Sequence, residues 1–138
     1  QRQMCIRDSN YTYINGGDVD IDRDVIGEQF VLPGLGDSGN FSVFFENERH
    51  TLRLALNYRG ETVAGFANYE QPLYIDERTQ WDASYQFRFT TGRALNTLFL
   101  EVSNLTDEPT RLYVRYPEML FLSQDHGPIY KAGFRTNF

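Results

Sequence analysis

The chain has 138 residues, enough for one domain of ordinary size, and carries 19 Asp and Glu against 13 Lys and Arg. That acidic balance argues against a nucleic-acid partner, which favours a basic face. Mean hydropathy is −0.51, and no run approaches the ~18 apolar residues of a membrane helix. A single cysteine, Cys5, excludes an internal disulfide.

Residues 1–9 hold no apolar run of signal-peptide length. They resemble translated sequencing-adapter read-through and are set aside, as a non-native or disordered tail, from the fold reading of residues 10–138. The first expected strand is Asn10 to Asn15. A long polar connection follows, with several Asp, Pro33 and Gly16, Gly17, Gly34, Gly36 and Gly39. A strand from Phe41 to Glu46 puts Phe41, Val43 and Phe45 on one face. The turn Asn47-Glu48-Arg49 leads into Thr51 to Gly60, where Leu52, Leu54, Leu56 and Tyr58 alternate with Arg53, Ala55, Asn57 and Arg59. This is period two, the strand repeat.

A second long connection, Glu61 to Arg78, precedes a strand from Thr79 to Thr90. Trp81, Ala83, Tyr85, Phe87 and Phe89 share one face there, and Gln80, Asp82, Ser84, Gln86 and Arg88 the other. A turn at Gly92 to Asn96 and a strand from Thr97 to Ser103 follow. A third long connection, Asn104 to Pro128, leads to a final strand, Ile129 to Phe138. Its Tyr130, Ala132, Phe134, Thr136 and Phe138 alternate with Lys131, Gly133, Arg135 and Asn137.

The reading is an all-β, antiparallel up-and-down meander of about six strands in one sheet with both edges open. Connections alternate long and short, as in outer-membrane barrels, whose periplasmic turns are short and extracellular loops long. Orienting the chain by loop length puts Tyr58, Trp81 and Tyr130 at the outer boundary of an apolar face. Phe45, Phe89 and Phe138 fall at the inner boundary. These are the expected aromatic girdles. Six strands cannot close a barrel, and open edges are not stable in hydrocarbon. The expectation is an incomplete segment of a larger transmembrane barrel that needs partner strands from a preceding part of its chain. The alternative is a soluble β-sandwich binding a carbohydrate or another ligand, with its apolar faces packed into a closed core.

Other patterns give weaker signals. Asp18, Asp20, Asp22 and Asp24 alternate, but a calcium loop needs Gly sixth and Glu twelfth, where Arg23 and Gln29 stand. No metal and no cofactor is expected. Ser123, Asp125 and His126 are near in sequence without the convergence nucleophilic catalysis needs, so no enzyme is expected. His50 reads as a periplasmic surface residue. Asn104-Leu105-Thr106 fits turn chemistry better than a glycan acceptor. The connection aromatics Phe66, Tyr69, Tyr74, Tyr113, Tyr116 and Phe121 either pack together or meet a ligand, and Tyr69 and Tyr74 are the candidate ligand contacts. Arg53, Arg59, Arg88, Lys131 and Arg135, with Asp82 and Glu101, face the expected lumen, where ion pairs in the wall or against a plug are expected.

The order of segments resembles the C-terminal barrel of TonB-dependent outer-membrane receptors. The resemblance rests on Leu32-Pro33-Gly34 with Ser38-Gly39-Asn40, on Leu54 to Arg59, and on Gln80 to Tyr85. Its most specific piece is Leu98-Phe99-Leu100-Glu101-Val102-Ser103-Asn104-Leu105-Thr106-Asp107-Glu108-Pro109, followed by Gly127 to Phe138. It implies a 22-stranded parent barrel with an N-terminal plug in a bacterial outer membrane, its C-terminus periplasmic. It implies uptake of a siderophore, cobalamin, haem or oligosaccharide, driven by the TonB complex through parts of the parent beyond these strands. Outer-membrane lipid and the barrel-assembly machinery are implied partners, the latter reading Phe134 and Phe138 as an assembly signal.

Overall fold

The computed structural model describes residues 5–17, 21–25 and 33–138. Among the described residues ten strands form two antiparallel sheets. The larger has six strands in the order β1-β2-β3-β6-β7-β10: β1 Ile6–Ile14, β2 Ser38–Glu46, β3 His50–Arg59, β6 Arg78–Thr91, β7 Ala94–Ser103 and β10 Ile129–Asn137. Setting aside the smaller strands, each of the six pairs with the next, as the alternation predicts. β1 starts earlier than expected, at Ile6, because Ile6–Ser9 pair with Val43–Glu46 on β2. Ladder hydrogen bonds come from the backbone and tolerate almost any side chain.

The expectation of a single sheet is corrected. The second and third connections contain a four-stranded sheet, β4-β5-β8-β9, built from β4 Thr62–Ala67, β5 Gln71–Ile75, β8 Thr110–Val114 and β9 Leu120–Gln124. Each of these strands has only five or six residues. Register shifts between Val63 and Gly65 and between Leu112 and Tyr113 break their alternation, and Pro72 in β5 counts against a strand.

Both short turns of the large sheet follow from their residues. Asn47 Oδ1 accepts the N–H groups of Arg49 and His50 at 3.0 and 2.7 Å, closing β2 to β3. Between β6 and β7 only Gly92 and Arg93 intervene, and Gly92 takes φ +63. A left-handed first residue suits a two-residue hairpin, and glycine adopts it without steric cost.

Register fixes the faces. Phe41, Leu56 and Trp81 stand side by side; so do Val43, Leu54, Ala83, Val102 and Tyr130; so do Phe45, Leu52, Tyr85, Leu100 and Ala132. This apolar face is uncovered: Leu54 is 38 % exposed, Leu100 44 % and Phe134 60 %. The opposite face is polar, and one groove of about 560 Å³ along it is lined from β1, β2, β3, β6 and β7. The sheet therefore curls toward its polar side. Among the described residues the buried apolar cluster lies elsewhere, in the small sheet: Val63, Tyr74 and Tyr113, with Ile21 packed against it.

Candidate functional site

The apolar face is bounded at both ends by aromatic residues, and the two boundaries run obliquely across the strands. Tyr58 on β3 is opposite Thr79, so Trp81 on β6 lies two residues further in. Ala83 is opposite Val102, and Val102 opposite Tyr130, so Tyr130 on β10 lies two further again. At the other end His50 is opposite Phe87, and Phe89 lies two residues beyond it. Asn137 reaches the level of Leu95 and Thr90, which puts Phe138 two beyond Phe89. Phe45, opposite Leu52, continues this line onto β2. Both lines thus shift four residues over the three strand steps from β3 to β10. At ~3.3 Å per residue and ~4.8 Å per strand, that is about 13 Å over about 14 Å, a slope of roughly 43°.

The expected girdle residues Tyr58, Trp81, Tyr130 and Phe89 all lie on these lines. His50 joins them, which corrects its reading as a plain surface residue. It is half-buried on the apolar face. Its Nδ1 is 2.7 Å from the Tyr85 hydroxyl, and its ring stacks on Phe87 at 5.0 Å. Phe87 stacks on Phe89 and Phe89 meets Phe134, at 5.6 and 6.3 Å. Phe138 follows β10 with its side chain fully exposed. Period-two alternation places His50 on this face, because its number has the parity of Leu52 and Leu54.

The polar face carries the charges expected there. Arg88 Nη2 pairs with Glu46 at 2.7 Å and donates to Thr51 Oγ1 at 2.9 Å. Asp82 accepts from Gln80 and Asn57 at 2.8 and 3.2 Å and from the Asn104 N–H at 3.0 Å. Arg53, Arg59, Lys131 and Arg135 make no ion pair among the described residues. Phe99 also lies on this side. Its ring covers Gly133, where an added Cβ would come within 2.1 Å of Phe99 Cζ. An aromatic ring over a neighbouring strand's glycine is a known way to pin register.

Asn104 anchors the corner from β7 to the small sheet. It sits at φ +58 and is 5 % exposed. Its Nδ2 donates to the carbonyls of Glu108 and Gly127, both at 3.3 Å, while its Oδ1 accepts the Glu108 N–H at 3.0 Å. Thr106 Oγ1 donates to the Thr79 carbonyl at 3.2 Å. The Asn-Leu-Thr triplet is turn chemistry, with an amide too enclosed to carry a glycan.

The small sheet is tied to the first connection by charge. Arg23 Nη2 pairs with Glu61 at 2.6 Å, and Arg23 Nη1 donates to the Arg115 carbonyl at 3.2 Å. Arg115 Nε returns a bond to the Arg23 carbonyl at 2.7 Å. The Tyr113 hydroxyl donates to Glu61, and that of Tyr116 to Asp24. Burial first, then the bond to Glu61, raises the Tyr113 pKa well above its ordinary value. Asp18 and Asp20 lie outside the described residues. Among those described, no three His, Cys, Asp or Glu side chains converge as metal ligands.

The two expected ligand contacts differ. Tyr69 is 86 % exposed at the tip of the β4–β5 hairpin, and both Tyr69 and Glu70 have positive φ, 63 and 55. Tyr74 is 4 % exposed, stacked on Tyr113 at 5.4 Å with the Arg23 guanidinium 4.6 Å above its ring. Packing within the connections accounts for most of Tyr74 and Tyr113, while Tyr69, Phe66 and Phe121 remain exposed. Ser123 is paired with Arg111 in the β8–β9 ladder. Asp125 Oδ1 accepts the Gly127 N–H at 3.0 Å.

Comparison with known protein families, with curated proteins and with solved structures finds no match.

Proposed function

We propose that the six-stranded sheet is a wall segment of a transmembrane β-barrel, its apolar face toward lipid and its polar face toward a lumen. The observation that carries this is the pair of oblique aromatic lines bounding an uncovered apolar face. Their slope of roughly 43° matches the ~35–45° strand tilt of outer-membrane barrels. From Tyr58 to His50, Trp81 to Phe89 and Tyr130 to Phe138 the span is nine residues each time. Eight rises of ~3.3 Å, tilted by that slope, give about 20 Å along the membrane normal, near the ~25 Å apolar band of such barrels. A soluble sandwich would bury this face against a second sheet; the described residues contain no such core.

On the segment resemblance, the parent is a TonB-dependent receptor of a bacterial outer membrane, taking up a scarce nutrient. The strands supply wall, with β1 and β10 pairing to further strands of the parent. Transport itself runs through a plug and a TonB contact elsewhere in the parent.

Two experiments test this. Trp81, the only tryptophan, sits on the outer line. In vesicles with brominated lipids its emission is quenched most strongly by bromines close to the headgroups; absence of quenching by any of them overturns the membrane reading. Extending the coding sequence upstream should reveal further amphipathic strands and a plug domain. A soluble domain in their place overturns the family assignment.

A further inference from the structure

Beyond the lipid face, a second feature has the make-up of a ligand site. A cavity of about 390 Å³ opens just past the Tyr58 end of the large sheet, where β3 passes into β4. Its size lies at the small end of ordinary ligand pockets, ~300–1,000 Å³. Its wall includes Asp37, Tyr58, Glu61, Thr62, Tyr74 and Glu77, with glycine backbone at Gly36 and Gly60. The glycine is needed at 36, where a Cβ would come within 2.1 Å of the Thr62 methyl.

The polar groups of this wall divide into used and unused. Asp37 accepts the Tyr13 hydroxyl at 2.9 Å and the Gly16 N–H at 3.0 Å. Glu61 is held by Arg23 and Tyr113. The hydroxyls of Tyr58 and Tyr74 and the carboxylate of Glu77, in contrast, make no hydrogen bond with any described residue. Tyr74 is 4 % exposed and Thr62 3 %, and the Thr62 hydroxyl is unpartnered too. Buried polar groups are nearly always paired, so the buried, unpaired Thr62 hydroxyl, with the Tyr58 and Tyr74 hydroxyls and the Glu77 carboxylate free in the wall of the same cavity, points to a polar partner there. Burial raises the Tyr74 pKa, so its hydroxyl stays a donor at neutral pH.

We infer that this cavity binds a small, neutral, hydroxyl-rich ligand, a sugar ring or its equivalent. Hydroxyls of such a ligand donate to Glu77 and accept from the Tyr58 and Tyr74 phenols, and its C–H face packs on aromatic carbon. An anion meets three carboxylates. A bare divalent ion lacks converging ligands. A cationic amine finds one carboxylate free, since Asp37 and Glu61 are engaged within the protein. A purely apolar ligand leaves the unpaired groups unpaired. This names a ligand class for the uptake reading and in that sense rests on it, although the cavity exists whichever solvent the large sheet meets.

The test is saturation-transfer NMR on the full chain in amine-oxide detergent, which carries no sugar. The probes are D-glucose, D-galactose and D-mannose, with choline and inorganic phosphate as charged comparators. At least one hexose should bind with a Kd below about 50 mM, the weak end of measurable affinity. Tyr74→Phe and Glu77→Gln should each weaken it about threefold to tenfold, as loss of one hydrogen bond does. Glu77 is exposed, so its variant keeps the fold, as unchanged Trp81 emission will verify. The inference is overturned by preferential binding of choline or phosphate, by no hexose binding, or by hexose binding that Glu77→Gln leaves unchanged. Hexose binding by a chain that stays out of vesicles would uphold this inference and sink the membrane reading.

Discussion

Replacing Leu54 by Arg separates a lipid-facing sheet from a water-facing one. Leu54 is the middle residue of the span from Tyr58 to His50, with Val43 and Ala83 beside it in register. It therefore lies about 10 Å from either aromatic line, at the midplane of the band. Arg on the lipid face of a barrel costs ~2–4 kcal/mol at the midplane and ~0–1 near the interfaces. At ~1.4 kcal/mol per tenfold, Leu54→Arg should lower vesicle partitioning of the full chain by about 30- to 700-fold. Tyr58→Arg, on the boundary, should lower it by no more than about fivefold. Ala55→Arg, next along β3 but on the polar face, should leave it nearly unchanged. The assay is a titration with phosphatidylcholine vesicles followed by Trp81 emission. Were this face in water, substitution at the 38 %-exposed Leu54 would change stability by only about 0.5 kcal/mol, and all three variants would behave alike. Equal partitioning of the three, or a larger loss for Tyr58→Arg than for Leu54→Arg, refutes the reasoning.

Gly133→Val forces the Phe99 ring off β10 and should destabilise the sheet by about 1–3 kcal/mol in denaturant titrations; Phe99→Ala in the Gly133→Val background should recover part of that loss. Asn104→Ala leaves the Glu108 N–H without its acceptor and removes an amide that holds two carbonyls. It should cost about 2–4 kcal/mol, with faster hydrogen exchange at Glu108 and Leu105 as the local sign. The raised Tyr113 pKa predicts alkaline loosening of the small sheet. A tyrosine whose folded pKa exceeds its unfolded value contributes stability in full below about pH 10, and that contribution is lost as pH climbs from there through the folded value. Tyr113→Phe should flatten this alkaline limb in a pH series of thermal melts.

The large sheet was legible because period-two alternation states both strand and face. Leu52-Leu54-Leu56-Tyr58 and Trp81-Ala83-Tyr85-Phe87-Phe89 admit no helical reading, and their register pairs apolar with apolar across the sheet. His50 shows the limit of reading by residue type: parity puts it on the apolar face, while a histidine beside a turn suggests solvent. The small sheet was not legible. Its strands depend on partners distant in sequence, β5 with β8 above all, and bulges at Val63–Gly65 and Leu112–Tyr113 erase the short alternation each strand has. The Arg23–Glu61–Tyr113 cluster was hidden for the same reason, since its members come from three separate segments. Asn104 was half legible. Its type and neighbours suggested a turn, but the bond to Gly127 spans 23 residues.

The location of the buried core joins these results. A six-stranded sheet in water would place its aromatic face inward and leave a short loop sheet to fend for itself. Here the arrangement is inverted. The long strands expose Leu, Phe, Trp and Tyr on their convex side, while the short strands bury Val63, Tyr74 and Tyr113 behind a charged clasp. The same hydrophobic effect explains both if the two sheets meet different surroundings. In lipid, burial on the convex face earns nothing, so the long strands need only outward apolar side chains and satisfied backbones. Past the Tyr58–Trp81 line, where the proposed wall would meet water, a core, ion pairs and capped corners appear within a few residues. On the proposed membrane reading the Tyr58 line marks a change of solvent along β3 and β6, and the cavity at its edge would lie on the wet side, where a hydroxyl-rich ligand would arrive.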